Sequence, residues 1–197
     1  TASITASGAV DSIQLFSRVP FERVERVAVT PHSATSVALL RVLLGTEVPP
    51  FEVLDEPPDV ALARFDGVLL IADEALVALQ AGLAPHATDL AERWSQRTGL
   101  PMVFAVWAAR AEVAAERPER VQGLARELKV AQERYVAEPE AVVQAAAERF
   151  PFPVDYIRAY FRRLRYGFGP AERRGLARFL ELAREAGELS ELPRLAA

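Results

Sequence analysis

The sequence predicts an α/β fold followed by an all-helical tail, and two observations carry that expectation. Between residues 26 and 107, short β-branched or apolar runs alternate with segments of helical spacing, the pattern of sheet strands joined by right-handed crossover helices. After Ala108 the strand-like runs stop, and prolines and glycines divide the remainder into amphipathic stretches. The length of 197 residues, 51% of them hydrophobic, suits one globular domain or a two-lobed one with a buried core.

The elements follow in order. Val27-Ala28-Val29 is a short strand leading into Thr30-Pro31-His32-Ser33. Val37, Leu40 and Leu44, with Leu39 and Leu43 beside them, then recur at helical spacing, with Ser33 as the N-cap and Gly45 as the stop. Phe51–Leu54 is a second short strand. Asp66-Gly67 introduces Val68–Ile71, a continuous apolar run of the kind found in buried parallel strands. One helix starts near Asp73 and another spans Asp89 to Arg97, before the break Gly99-Leu100-Pro101; Met102–Trp107 is the last strand. In the tail, residues 109–134 predict one long helix or a broken pair, with Pro118 marking a start, and Pro139 opens a helix to Arg149. Val154, Ile157, Phe161 and Leu164 form an apolar stripe, Gly167–Pro170 breaks the chain, and the final helix runs from Ala171 to Ala186.

Composition excludes several kinds of chemistry. With no cysteine there is no disulfide framework, thiol nucleophile or cysteine zinc site, and His32 and His86 alone cannot build a histidine-rich metal centre. The 23 basic and 27 acidic residues, net −4, give no polyanion-binding signal. Residues 1–10 have neither a basic n-region nor a long apolar h-region, and the longest uncharged apolar stretch, near Leu100–Ala109, is far short of the roughly 20 residues of a membrane span. A soluble cytoplasmic protein is expected, with no membrane or nucleic-acid partner. Arg158, Arg162, Arg163 and Arg165, interleaved with Tyr156, Tyr160 and Tyr166, read as a solvated helix face, because residues 111–197 balance 15 basic against 14 acidic side chains. Trp94 and Trp107 are expected in the core or a cleft wall, and His86 in an exposed loop. No phosphate-binding glycine loop, nucleophile elbow or zinc-helix motif is present.

The chemistry-bearing stretch is Thr30–Ser36, TPHSATS, at a strand-to-helix turn. A helix N-terminus offers unpaired N–H groups and a positive dipole end, and Ser33, Thr35 and Ser36 add hydroxyl donors, a combination that suits a carboxylate or phosphate. The competing reading is that Ser33 only caps the helix. Asp73, with Glu74, follows Val68–Ile71 at a strand's carboxyl end, where ligands gather in open α/β sheets; a helix-capping role competes. His32 lies inside the turn, where structural use is the expectation.

Four stretches carry a resemblance: Ser12–Pro20 (SIQLFSRVP), Ser33–Leu40 (SATSVALL), Leu70–Leu76 (LIADEAL) and Thr98–Ala108 (TGLPMVFAVWA), supported by Leu164–Phe168 and the Leu176–Ala183 helix. In these residues the chain resembles the chorismate dehydratases of menaquinone biosynthesis by the futalosine route. The resemblance implies a type II periplasmic-binding-protein-like fold, two α/β lobes joined by crossing strands with the ligand between them. Residues 1–17 would then end the first lobe and form the first crossing strand, and 18–101 would form an inserted lobe. Residues 102–108 would be the second crossing, and 109–197 a helical segment returning to the first lobe. The implied reaction removes water from chorismate, a dicarboxylate, and needs no cofactor. Ser12, Ser33, Ala34, Thr35, Ser36 and Asp73 are the expected substrate-binding residues, with no metal and no assigned catalytic base. Family members carry Ser or Thr at the position of His32, which argues against that histidine as the base. Two alternatives stay open. One is the sister enzyme that forms a dihydroxynaphthoate, whose catalytic histidine has no counterpart near residues 100–110; the other is a non-catalytic binding protein for a small carboxylate. Monomer and homodimer are both compatible with the sequence. The chain starts at Thr1, and the ligand loop that family members carry near their start has no match in it, so a fragment lacking part of the first lobe is expected.

Overall fold

The computed structural model describes residues 2–193 except Thr46 and Val48; Thr1 and residues 194–197, which the sequence reading assigns to the first and last segments, lie outside the described residues. In chain order the elements are β1 (Ala2–Ala6), β2 (Ile13–Ser17), β3 (Val27–Val29), α1 (Ala34–Leu44), β4 (Glu52–Val53), α2 (Pro58–Ala61), β5 (Gly67–Ile71) and α3 (Ala72–Ala81). They continue with β6 (His86–Asp89), α4 (Leu90–Thr98), β7 (Met102–Val106), α5 (Ala111–Glu116), α6 (Pro118–Ala137), α7 (Pro139–Arg149), α8 (Val154–Arg163), β8 (Arg165–Gly167) and α9 (Pro170–Glu185). The fold is therefore mixed α/β, as the alternation of patterns predicts.

Among the described residues the strands form a five-stranded sheet, β4-β3-β5-β2-β6, and a three-stranded one, β7-β1-β8. In the larger sheet β3 runs parallel to β4 and β5, whereas β2 is antiparallel to β5 and β6, so the expected crossover sheet is in fact mixed. Side chains alternate between its faces as the pleat requires. Leu15, Val27, Val29 and Leu69 join Leu39, Leu40, Leu90 and Trp94 on one side. Phe16, Ala28, Val68 and Leu70 join Ala61, Leu62, Phe65 and Ala75 on the other. Val68–Ile71 is a continuous apolar run because helices cover both faces of β5.

Ile13–Ser17 is an interior strand of the larger sheet; the chain passes between the sheets at residues 7–12 and again at 99–101. Three strands lack a clear signal in the sequence. Ala2–Ala6 is built of small residues, His86–Asp89 is a polar edge strand, and Arg165–Gly167 is three residues long. His86 thus begins a strand, paired with Ser17, and is exposed there. The two tryptophans part company. Trp94 is fully buried with its ring edge-on to Phe179, whereas Trp107 is 56% exposed beside an apolar groove lined by Ala2, Leu124 and Leu128.

The last helix packs on the larger sheet's helical layer and on β7, with Phe179, Leu182 and Ala183 entering the same core as α1 and α4. Gly175 permits the contact, since a Cβ there would lie 2.2 Å from the Pro101 carbonyl oxygen.

One carboxylate ties the passage at residues 7–12 to the larger sheet. Asp89, 7% exposed, ends β6 and caps α4: one of its oxygens accepts from Glu92 N–H at 3.0 Å. Its other oxygen accepts from Val10 N–H (2.7 Å), Asp11 N–H (2.7 Å) and Gln14 Nε2 (2.9 Å). Burial nonetheless dominates its electrostatics and holds its pKa above the usual carboxylate range. No helix among the described residues is long and apolar enough to cross a membrane.

Two consequences are measurable in chemical denaturation. Gly175→Ala is expected to destabilise the protein by about 1–3 kcal/mol, because the added methyl meets backbone and not a flexible side chain. Asp89→Ala is expected to remove about 3 kcal/mol or more, since it strands several buried donors at once. The pH dependence has a defined sign. A carboxyl whose pKa is raised on folding holds its proton longer in the folded state, so its contribution falls as pH rises from its ordinary range through the raised value. The margin of wild type over Asp89→Asn should therefore narrow across that window and level off above it.

Candidate functional site

The strand directions gather one set of ends at one sheet edge. Ile13 opposes Ile71, and Gln14 opposes Asp89, so the start of β2 meets the ends of β5 and β6. Val29 opposes Leu69, and Thr30 N–H donates to the Leu69 carbonyl at 3.1 Å, which brings the end of β3 to the same edge. The segments following or preceding these ends are Ser12, the Thr30–Ser36 turn and Asp73. Residues far apart in sequence thus share one face of the molecule, the end of an α/β sheet at which ligands collect.

In the turn, Ser33 is the N-cap of α1, as predicted. Its Oγ accepts from Ser36 N–H at 3.1 Å and donates its proton to Ser36 Oγ at 2.8 Å. Capping is therefore satisfied, and the internal bond occupies the Ser33 proton while leaving the Ser36 hydroxyl hydrogen available to a ligand. Ala34 and Thr35, in the first turn, have N–H groups without an intrahelical carbonyl partner, and Thr35 is half-buried. His32 is exposed, and its N–H donates to Thr30 Oγ1 at 3.2 Å.

Asp73 does not cap α3. The N-cap is Ile71, without a side-chain capping bond, and Asp73 sits exposed in the first turn, where its charge is favourable to the helix dipole. Ala72, the first residue of the helix, has φ 51°, and its N–H donates to the Ser12 carbonyl at 2.8 Å. Asp11, just before Ser12, has φ 63°. Two residues other than glycine in left-handed backbone, joined through Ser12, mark a locally strained corner, and such strain collects at functional sites.

The tail supplies groups to this corner that the sequence reading leaves in solvent. Tyr156, Tyr160 and Arg163, spaced four and three apart, share one face of α8. Tyr160 Oη donates to Ser12 Oγ at 3.2 Å, Tyr156 Oη donates to the Asp11 carboxylate at 3.3 Å, and Arg163 pairs with the same carboxylate. Burial raises the Tyr160 pKa, and the nearby negative charges of Asp73 and Asp11 raise it further. Tyr156 is pushed up to about 12, first by burial and then by Asp11. Both phenols are therefore neutral donors at physiological pH. Arg158, in the same stretch, is bound instead to Glu140 and Asp155 on the outer side. A helical wheel of residues 154–163 shows the shared face of Tyr156, Tyr160 and Arg163, but which face meets the sheet edge is decided by the path of the chain.

Beside the edge lies a cavity of about 850 Å³ lined by Thr30, His32, Leu54, Asp55, Asp73 and Glu74, among others. Among the described residues no group of three or more His, Asp or Glu side chains is arranged to hold a metal ion. Of the expected binding residues only Asp73 lines this cavity, together with Asp55, Glu56, Asp59 and Glu74; Ser12 and Ser36 are buried behind the edge and Thr35 is half-buried.

A family model described as menaquinone biosynthesis matches residues 1–185. The chorismate dehydratase of Thermus thermophilus is 36% identical over 203 residues, an alignment covering 91% of this chain and 70% of that protein. The crystal structure of protein AF1704 from Archaeoglobus fulgidus superposes with a TM-score of 0.60 over 95% of this chain and 71% of its own, at 15% identity, a likeness of fold. With the family model spanning nearly all of the sequence, the chain belongs to the menaquinone-biosynthesis family.

Proposed function

We propose that the protein is a chorismate dehydratase, a hydro-lyase that converts chorismate to 3-[(1-carboxyvinyl)oxy]benzoate and water. The observation that carries this reading is the 36% identity to the Thermus thermophilus chorismate dehydratase over 91% of the chain. In this reading the two sheets belong to two lobes of a periplasmic-binding-protein-like fold, with passages at residues 7–12 and 99–101, and the substrate lies against the edge of the larger sheet. The reaction breaks the C4–hydroxyl and C3–H bonds of chorismate and forms the third double bond of an aromatic ring. No electrons are gained or lost overall, and aromatisation supplies the drive.

The work left to the protein is to bind two carboxylates, orient the C3–H and C4–OH bonds, and assist the departing hydroxyl. Ser36, Thr35 and the first N–H groups of α1 hold one carboxylate at the positive end of the helix. Ser12 donates from the opposite side of the same corner. Asp73 borders the site and orients polar groups of the substrate. His32, exposed and bonded through its backbone to Thr30, is not assigned as the base.

Incubation of the full-length protein with chorismate, followed by chromatography, is expected to yield the benzoate. No product, together with tight binding of another small acid, would identify a binding protein instead. Thr35→Ala and Ser36→Ala are each expected to lower kcat/KM about tenfold, the usual effect of losing one hydrogen bond to a charged group. Unchanged kcat/KM in both variants would remove the turn from the site.

A further inference from the structure

We propose that Tyr160 is a positioning residue for Ser12: by donating its hydroxyl proton to Ser12 Oγ, it leaves the serine's own O–H free to donate into the substrate site. This rests on the chorismate dehydratase reading above and on Ser12 as a substrate-binding group within it.

A serine hydroxyl has one proton and two acceptor positions, and it rotates freely unless a neighbour fixes it. Ser12 is 7% exposed, its carbonyl is taken by Ala72 N–H, and its Oγ lies 3.2 Å from Tyr160 Oη. A phenol is the better donor of the two, because it is far more acidic than an alkyl hydroxyl. With Tyr160 donating, the Ser12 proton must find its acceptor elsewhere, and a bound carboxylate supplies one. The direction of this bond decides what Ser12 can do: if the serine donated to the tyrosine, it would meet an anion with lone pairs only.

The support around Tyr160 fits positioning. Its ring packs at the edge of the main core, and its helix is anchored to the adjacent residue by two further contacts, Tyr156 and Arg163 on Asp11. Three side chains of one helix face thus grip two consecutive residues. Asp11 itself sits in left-handed backbone, so this grip holds a strained residue directly before the serine.

The test is a double-mutant cycle with full-length protein and chorismate, using wild type, Tyr160→Phe, Ser12→Ala and the double variant. Tyr160→Phe keeps the ring, so its thermal midpoint is expected within about 4 °C of wild type. Its kcat/KM is expected to fall about three- to tenfold, the range for one modest hydrogen bond, mostly as a rise in KM with kcat within about twofold. In the Ser12→Ala background the same change should have no further effect, because the group it positions is gone. An unchanged kcat/KM for Tyr160→Phe overturns the proposal. So does a double variant whose loss equals the product of the two single losses, since Tyr160 would then act independently of Ser12. Wild-type protein that forms no benzoate overturns the functional reading, and this inference with it; turnover by wild type with either of the other two results overturns the inference alone.

Discussion

The Asp89 carboxylate is the point on which the arrangement of the site depends. It is nearly buried, and in isolation a buried carboxylate is among the least favourable groups a protein can hold. Here four donors from three segments converge on it: the first turn of α4, the backbone at residues 10 and 11, and the Gln14 side chain of β2. Each donor would itself be unsatisfied without it, so the carboxylate and its partners are stable only together. The consequence is geometric. The passage from the small sheet into the larger one is fixed where it enters β2, and Ser12 is the next residue along.

The same corner is held from outside by α8. Arg163 and Tyr156 neutralise and cover Asp11, and Tyr160 meets Ser12. Asp89 and Asp11 are neighbours of like charge, which partly accounts for the raised pKa of Asp89; a cation beside Asp11 offsets that repulsion. Backbone strain at Asp11 and Ala72 is tolerated because both are over-determined, Asp11 by its side-chain and backbone partners and Ala72 by the Ser12 carbonyl. A corner held this way from both sides is fixed in advance, the condition under which polar groups act without reorganising.

Much of the fold was legible in the sequence because its signals are local. Ser33 and Gly45 punctuate α1, Pro118 and Pro139 start α6 and α7, and the apolar run Val68–Ile71 is a strand covered on both faces. The turn at Thr30–Ser36 was legible as a cluster of donors for the same reason: hydroxyls, cap and helix start lie within seven residues. What escaped are the elements whose only warrant is a partner. Ala2–Ala6 and Arg165–Gly167 are strands because each finds a neighbour far away in the chain, and β2 is antiparallel because of how the passage at residues 7–12 turns.

The sequence by itself determined the α/β class, most helix boundaries, the donor-rich turn and, through four motifs in register, the family. Capping, periodicity and turn chemistry act over a few residues, so they can be read one segment at a time. Only the tertiary structure decided that Tyr156, Tyr160 and Arg163 meet Asp11 and Ser12, that Asp73 leaves the capping of α3 to backbone, and that Asp89 joins α4 to residues 10–14. Those contacts span up to 152 residues, the separation of Asp11 from Arg163, and no local pattern specifies a partner that far away. An arginine–tyrosine helix face has the same sequence whether it meets water or a buried serine; the packing of α8 against the sheet edge makes the choice.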